Sequence, residues 1–116
     1  MKVSCEFHYD SAHWLPEVPE GHKCGAMHGH TYRLLVTVNG PVKPDGFVVD
    51  FADIKRLVGG LVDALDHRVL NDVIPNPTVE RQLVWLWDEL KMHGLMAGLH
   101  SLTLFEGLNN SATYEG

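Results

Sequence analysis

The 116-residue chain lacks the features that would direct it to a membrane or to nucleic acid. No apolar run approaches the roughly 20 residues of a membrane-spanning helix, and the first residues form no apolar signal core. Basic residues are few: nine Lys and Arg stand against fifteen Asp and Glu, for a net charge of −6, and they form no patch. We therefore expect a cytoplasmic protein with neither a membrane nor nucleic acid as its partner.

Cysteine is also scarce, and no segment is repeated or of low complexity. A cytosolic chain of this length has a core of its own and needs no disulfide, so Cys5 and Cys24 are expected to be thiols. The length fits a single domain over residues 1–116. Histidine is the unusual part of the composition, because four of the eight histidines fall within residues 13–30.

Hydrophobic periodicity predicts an α+β fold with the element order ββααββ. Alternation of apolar and polar residues predicts strands over residues 2–9 and 30–39, and residues 99–106 and 110–115 are expected to form a third strand and a short fourth. Helical spacing predicts two amphipathic helices, one over 51–65 capped by Asp50 and one from the cap Thr78 to about His93. Two helices cover only one face of a four-stranded antiparallel sheet, so the bare face and the sheet edges favour self-association.

The sharpest chemical signal is the pair His28 and His30, together with the earlier His13. Residues two apart on a strand point to the same side, and parity puts His13 on that side too if neither strand is bulged. Three neutral imidazoles with an open position are typical of a catalytic zinc site, whereas structural zinc sites usually have four ligands. Such pairs also occur where each histidine satisfies only a local hydrogen bond, so the residues alone leave metal binding open.

Cys24 follows Lys23 and precedes His28 by four residues. These surroundings differ from those of a core cysteine, and a neighbouring cation favours the thiolate. Cys24 can therefore be a fourth zinc ligand, an inert thiol, or a base or nucleophile. Cys5 alternates with polar residues in the first predicted strand and is expected to fill the core.

Two further polar sites are less specific. Asp66 and His67 end the first predicted helix, where an imidazole near the last carbonyls is common, although an acid/base pair also fits. Glu106 ends a predicted strand, where a carboxylate is usually solvated but can also accept two parallel hydrogen bonds from an amidine-like edge. The residue types alone do not decide between these interpretations.

Several motifs together resemble the 6-pyruvoyl-tetrahydropterin synthase family, in the right order and over essentially the whole chain. They are Ser11-Ala12-His13, Pro19 to Gly25 (PEGHKCG), His28-Gly29-His30, Asp50-Phe51, Leu65-Asp66-His67, Leu70-Asn71, Asn76 to Glu80 (NPTVE) and Glu106. The likeness is closest to the bacterial branch that makes 6-carboxy-5,6,7,8-tetrahydropterin for queuosine biosynthesis, whose members carry a very similar VPEGHKCG-x-x-HGH stretch.

The resemblance implies a tunnelling fold, in which ββααββ subunits assemble so that their sheets close into a barrel, typically a hexamer of two trimers. It implies a lyase that converts 7,8-dihydroneopterin triphosphate to 6-carboxytetrahydropterin, acetaldehyde and triphosphate, in sites that lie between subunits. The implied residue roles are zinc binding by His13, His28 and His30, proton transfer by Cys24 and by Asp66 with His67, and pterin anchoring by Glu106.

Three positions depart from the family pattern: Trp14, Thr31 and Gly107. Gly107 replaces a usual threonine and removes a hydroxyl close to the expected pterin edge, which bears on substrate preference. The sequence leaves two alternatives to this lyase open. One is a 6-pyruvoyl-tetrahydropterin synthase or a related dihydropterin-processing enzyme, and the other is a non-catalytic zinc-binding member with Cys24 as a fourth ligand.

Overall fold

Four strands and two helices follow one another in the predicted ββααββ order. The structure is a computed structural model, and it describes residues 1–92 and 97–116. The elements are β1 (Lys2–His13), β2 (His28–Asn39), α1 (Phe51–Leu65), α2 (Val79–Met92), β3 (Leu99–Glu106) and β4 (Asn110–Tyr114). The predicted end of the second helix at His93 lies outside the described residues. No helix in the described part of the chain is long and apolar enough to cross a membrane.

The strands form one antiparallel sheet in the order β1-β2-β3-β4. β1 and β2 pair without interruption from Lys2 opposite Asn39 to His13 opposite His28. The predicted strands over 2–9 and 30–39 were therefore too short at the end of the β1–β2 pair that carries His13 and His28. The polar residues after Tyr9 indicated a loop, but continuous pairing with β2 keeps them extended.

The core lies between the sheet and the two helices, which pack on the same face. Asp50 caps α1 by accepting a hydrogen bond from the amide of Ala52 at 2.9 Å, and Thr78 caps α2 by accepting from the amide of Arg81 at 3.2 Å. Both predicted caps are confirmed. Cys5 is buried in the core and both cysteines are free thiols, as expected. The large buried residues include Tyr9, Tyr32, Leu34, Ile54, Leu65, Leu83, Leu86, Leu90, Leu102 and Leu104.

The other face of the sheet is largely polar, and no helix of residues 1–92 and 97–116 packs on it. Side chains of neighbouring strands pair across it, with Ser4 bonded to Thr37 and Glu6 accepting from Arg33 at 2.8 Å. The Arg33 guanidinium also lies 4.2 Å from the centre of the Phe105 ring. The prediction of a single helix-covered face is confirmed.

Candidate metal centre and active site

The three histidines of the predicted cluster converge at one end of the β1–β2 ladder. The pairing puts His13 opposite His28 and Ser11 opposite His30, so all three imidazoles leave the sheet on the helix-covered side. One ring nitrogen of each lies within 4.8 Å of those of the other two. The parity prediction from the sequence is confirmed, since neither strand is bulged here.

Backbone carbonyls orient two of these imidazoles. The Nδ1 atom of His13 lies 2.8 Å from the Pro77 carbonyl oxygen, and the Nδ1 atom of His28 lies 2.7 Å from that of Ala26. A carbonyl oxygen only accepts, so both Nδ1 atoms carry the proton and, in the neutral rings, both Nε2 atoms carry a lone pair. These two Nε2 atoms face each other at 3.0 Å.

This donor set fits a metal ion. Two lone pairs directed at each other repel unless a cation lies between them, and metal-bound histidines typically donate their other N–H to a carbonyl in this way. His13 is only 1% exposed, and burial lowers its pKa, which favours the neutral ring that binds metal. His30 supplies the third nitrogen, so three protein ligands would hold the ion, the number typical of catalytic zinc sites.

Glu106 and Cys24 border the histidine cluster on one side. They line a cavity of about 410 Å³ together with Lys23, His28 and His30. A carboxylate oxygen of Glu106 lies 3.5 Å from Nε2 of His30. Cys24 is half-buried and does not belong to the group of converging ligand atoms found among residues 1–92 and 97–116.

The loop around Cys24 is held by local hydrogen bonds. The Cys24 carbonyl accepts from the amide of Leu15 at 2.8 Å, and the Cys24 amide donates to Nδ1 of His22 at 3.0 Å. The backbone bond to Leu15 ties the thiol-bearing loop to the segment that follows His13. This tie explains how a residue four positions before the H-G-H motif comes to lie beside the cluster.

Asp66 and His67 form a hydrogen-bonded pair at the end of α1. One Asp66 oxygen accepts from the Asp10 amide and from Nδ1 of His67, each at 2.9 Å. Both contacts lower the pKa of the Asp66 carboxyl, and the hydrogen bond from the Asp10 amide has the larger effect. The His67 imidazole therefore contacts the Asp66 carboxylate, whereas the sequence also allowed a contact with the last carbonyls of the helix.

The segment after α1 is fastened along the edge of β1. His67 adopts a left-handed backbone conformation with φ of 54°, and its amide donates to the Asp10 carbonyl at 2.7 Å. The Ala12 amide donates in turn to the Arg68 carbonyl at 3.0 Å. Pairing with β1 compensates the cost of this conformation and fixes His67 near the histidine end of the sheet.

Within one chain the two candidate proton-transfer groups occupy different cavities. His67 lines a cavity of about 620 Å³ with Asp10, Gly29, His30 and Arg68, while Cys24 lines the 410 Å³ cavity. Gly29 and His30 border both cavities. The structure of one chain therefore places Cys24 and Glu106 beside His28 and His30 in one cavity, and His67 beside His30 in the other.

Asn71 has a positioning role that the residue pattern did not reveal. Its side chain accepts from the Trp14 amide at 3.1 Å and donates to the Trp14 carbonyl at 2.8 Å. This clamp fixes the backbone directly after His13. The Leu70-Asn71 motif was visible in the sequence, but no periodicity indicates which distant backbone an asparagine will bind.

The departure at Gly107 has a conformational reason. Gly107 begins the turn between β3 and β4 with φ of 65°, and its amide donates to the Thr31 carbonyl at 3.1 Å. Residues other than glycine rarely adopt this backbone conformation. Glycine at this position therefore favours the turn that follows Glu106, and the site lacks the hydroxyl that a threonine would add.

Comparison with known proteins identifies the family that shares these features. The model of the family described as 6-pyruvoyl tetrahydropterin synthase matches residues 2–116. A solved 6-pyruvoyl tetrahydropterin synthase from Caenorhabditis elegans superimposes with a TM-score of 0.89 at 26% identity, covering 100% of this chain and 95% of the other. The antiparallel sheet with two helices is thus the fold of that enzyme.

Two curated relatives are similar in sequence. A protein of Archaeoglobus fulgidus, provisionally named as 6-carboxy-5,6,7,8-tetrahydropterin synthase, is 38% identical over 96 residues, covering 82% of this chain and 80% of the relative. The dihydroneopterin monophosphate aldolase of Pyrococcus furiosus is 40% identical over 84 residues, covering 70% of this chain and 71% of the relative. These relatives are named for different reactions of pterin compounds.

Proposed function

The chain belongs to the 6-pyruvoyl tetrahydropterin synthase family and is a pterin-processing lyase, and on that premise we propose that it is a zinc-dependent 6-carboxy-5,6,7,8-tetrahydropterin synthase. In this reaction 7,8-dihydroneopterin triphosphate and water yield 6-carboxytetrahydropterin, acetaldehyde and triphosphate, a step toward queuosine. The VPEGHKCG-x-x-HGH stretch and the names of relatives such as that of Archaeoglobus fulgidus support this branch.

One observation carries the proposal: the unprotonated Nε2 atoms of His13 and His28 face each other at 3.0 Å, with His30 beside them. His13, His28 and His30 would hold a zinc ion, which when bound supplies Lewis-acid polarisation of the substrate's side-chain oxygens. The rigid Nδ1 contacts of the first two rings keep those nitrogens in place before substrate arrives.

The neighbouring residues would position the substrate and move its protons. Glu106 offers two carboxylate oxygens to the amino-pyrimidine edge of the pterin, in the geometry of a bidentate carboxylate contact. Cys24 would act as a base from the cavity that it shares with Glu106. Asp66 would support the protonated form of His67, so that His67 transfers a proton on the other side of His30.

Assembly of several subunits would bring Cys24 of one chain and His67 of another to the same substrate. We propose that subunits of a single domain, residues 1–116, close their sheets into a barrel as a hexamer of two trimers. The polar bare face and the strand edges support this arrangement, because a second copy can pair with β4 and with the part of the β1 edge that the segment after α1 leaves uncovered. A neighbouring subunit would then complete each pterin pocket. The free thiols agree with a cytoplasmic location.

The test is to incubate the zinc-loaded protein with 7,8-dihydroneopterin triphosphate and identify the products by mass spectrometry. We expect 6-carboxytetrahydropterin and acetaldehyde. A 6-pyruvoyl product would instead place the protein with the synthases of the other branch. The monophosphate is supplied in parallel, because the relative from Pyrococcus furiosus is named for it and makes that reaction the second candidate. Return of both substrates unchanged by zinc-loaded protein would contradict the proposal.

The Asp66–His67 pair yields a prediction of its own. Asp66→Asn keeps an oxygen that can accept from the Asp10 amide but lacks the charge that supports protonated His67, so we expect kcat to fall by roughly 10²-fold. Steady-state kinetics and thermal unfolding measure the two effects separately. The matched control is Asp63→Asn, an exposed position of α1. Equal kcat values for both variants would remove Asp66 from the mechanism.

A further inference from the structure

A glutamine is buried behind the histidine cluster, on the core side of α2. Gln82 has no exposed surface, and its Nε2 group donates to the Pro77 carbonyl at 3.0 Å. Its Oε1 atom accepts from the hydroxyl of Tyr9 at 2.8 Å. The orientation of the amide is determined by chemistry, because a carbonyl oxygen can only accept and the Nε2 group must therefore face Pro77.

The Pro77 carbonyl connects Gln82 to the histidine cluster. It receives the Nδ1–H of His13 at 2.8 Å as well as the Gln82 amide, so both of its lone pairs are used. The Tyr32 hydroxyl lies 3.4 Å from the same Nδ1 atom of His13. Hydrogen bonds therefore connect Tyr9 to His13 through the Gln82 amide and the Pro77 carbonyl.

A buried glutamine at this position calls for an explanation beyond packing. Its neighbours in the core of α2 are apolar, among them Leu83, Leu86 and Leu90. A leucine or methionine would fill similar space without the cost of burying an amide. What an apolar side chain lacks is a donor for the Pro77 carbonyl, and this carbonyl decides which nitrogen of His13 faces the cluster.

We propose that Gln82 is a positioning residue for the metal centre: its amide holds the Pro77 carbonyl, which keeps the His13 proton on Nδ1 and the Nε2 lone pair directed at the cluster. The proposal rests on the proposed function in taking the three-histidine cluster as a metal site. Gln82 acts through Pro77 and His13 and is not itself a proposed metal ligand.

The first test is metal affinity. Gln82→Met keeps the volume of the side chain and removes the hydrogen bonds to Pro77 and Tyr9, so we expect zinc and cobalt(II) to bind roughly tenfold more weakly, as is typical when an outer hydrogen bond to a metal ligand is lost. Affinity is measured by chelator competition for zinc and by the visible spectrum of bound cobalt(II). Unchanged affinity would overturn the proposal.

A second variant separates positioning from stability. Gln82→Met leaves the Tyr9 hydroxyl buried without a partner, which destabilises the fold, whereas the double variant Tyr9→Phe/Gln82→Met removes that hydroxyl too. The buried Tyr32 side chain also hydrogen-bonds to Gln82 and loses that contact in both variants, so we expect the double variant to regain only part of the thermal stability and none of the metal affinity. Leu90→Ala, a core change in the same helix, is expected to lower stability and to leave metal affinity as in the unmodified protein. Recovery of affinity in the double variant would show that Gln82 acts only through stability.

A third measurement needs no metal. In the metal-free protein the 15N chemical shifts of His13 report which ring nitrogen carries the proton. We expect a single Nδ1–H tautomer in the unmodified chain and a mixture in Tyr9→Phe/Gln82→Met. A single tautomer in both would overturn the role of Gln82. If the unmodified protein binds no zinc, the proposed function fails, while these shifts still decide whether Gln82 orients His13.

Discussion

Replacing Cys24 with alanine is expected to lower kcat by about 10²–10⁴-fold while the protein retains its full metal content. Cys24 borders the cavity that contains Glu106 and His30, but its thiol lies outside the group of three converging imidazole nitrogens. A base that does not bind the metal can be removed without loss of the ion. The measurements are steady-state kinetics on 7,8-dihydroneopterin triphosphate and metal content per chain after dialysis.

The same variant tests the non-catalytic alternative. If Cys24 is a fourth zinc ligand, Cys24→Ala loses zinc and thermal stability together. The matched control is Cys5→Ala, which removes the other free thiol from the core and lies far from the cluster in the β1–β2 ladder. We expect it to be less stable and to retain turnover. Full activity of Cys24→Ala would rule out the proposed base.

Replacing His28 with alanine is expected to weaken zinc binding by at least about 10²-fold and to abolish measurable turnover. Loss of an outer hydrogen bond alone typically costs 10–100-fold in affinity, and loss of a ligand costs more. Zinc at a concentration 100 times its dissociation constant stabilises the unmodified protein by about 2.7 kcal/mol. The same concentration would stabilise a variant that binds 100-fold more weakly by only about 0.4 kcal/mol.

Thermal unfolding with and without zinc measures this difference directly. The control is His8→Ala, because the side chain of His8 lies on the bare face of the sheet and is 58% exposed. We expect His8→Ala to gain as much stability from zinc as the unmodified protein. If His28→Ala gains as much, then the facing Nε2 atoms of His13 and His28 do not bind the ion.

The sequence was sufficient to predict the shared orientation of the histidines. Strand parity needs only the order of the residues, because side chains alternate between the two faces of a sheet. It therefore put His13, His28 and His30 on one side before their distances were known. The lengths of β1 and β2 were underestimated, because local composition after Tyr9 is polar and only pairing with the other strand keeps these residues extended.

The roles of single polar residues could not be obtained in this way. Asn71 clamps Trp14, and Gln82 bonds to Tyr9, 73 positions away along the chain. Nothing in the local pattern around either residue specifies its partner. Gly107 illustrates the same limit, since its left-handed turn explains a departure that the sequence alone associated with substrate preference.

By itself the sequence determined the class of fold, the two capped helices, the shared side of three histidines and a resemblance that the family match later confirmed. These properties depend on periodicity, caps and motif order, which are local or follow from the chain's order. Only the tertiary structure decided which nitrogen of His13 and His28 faces the cluster, and that Cys24 and His67 line different cavities of one chain. Those properties depend on hydrogen bonds to carbonyls that folding brings close from other parts of the chain.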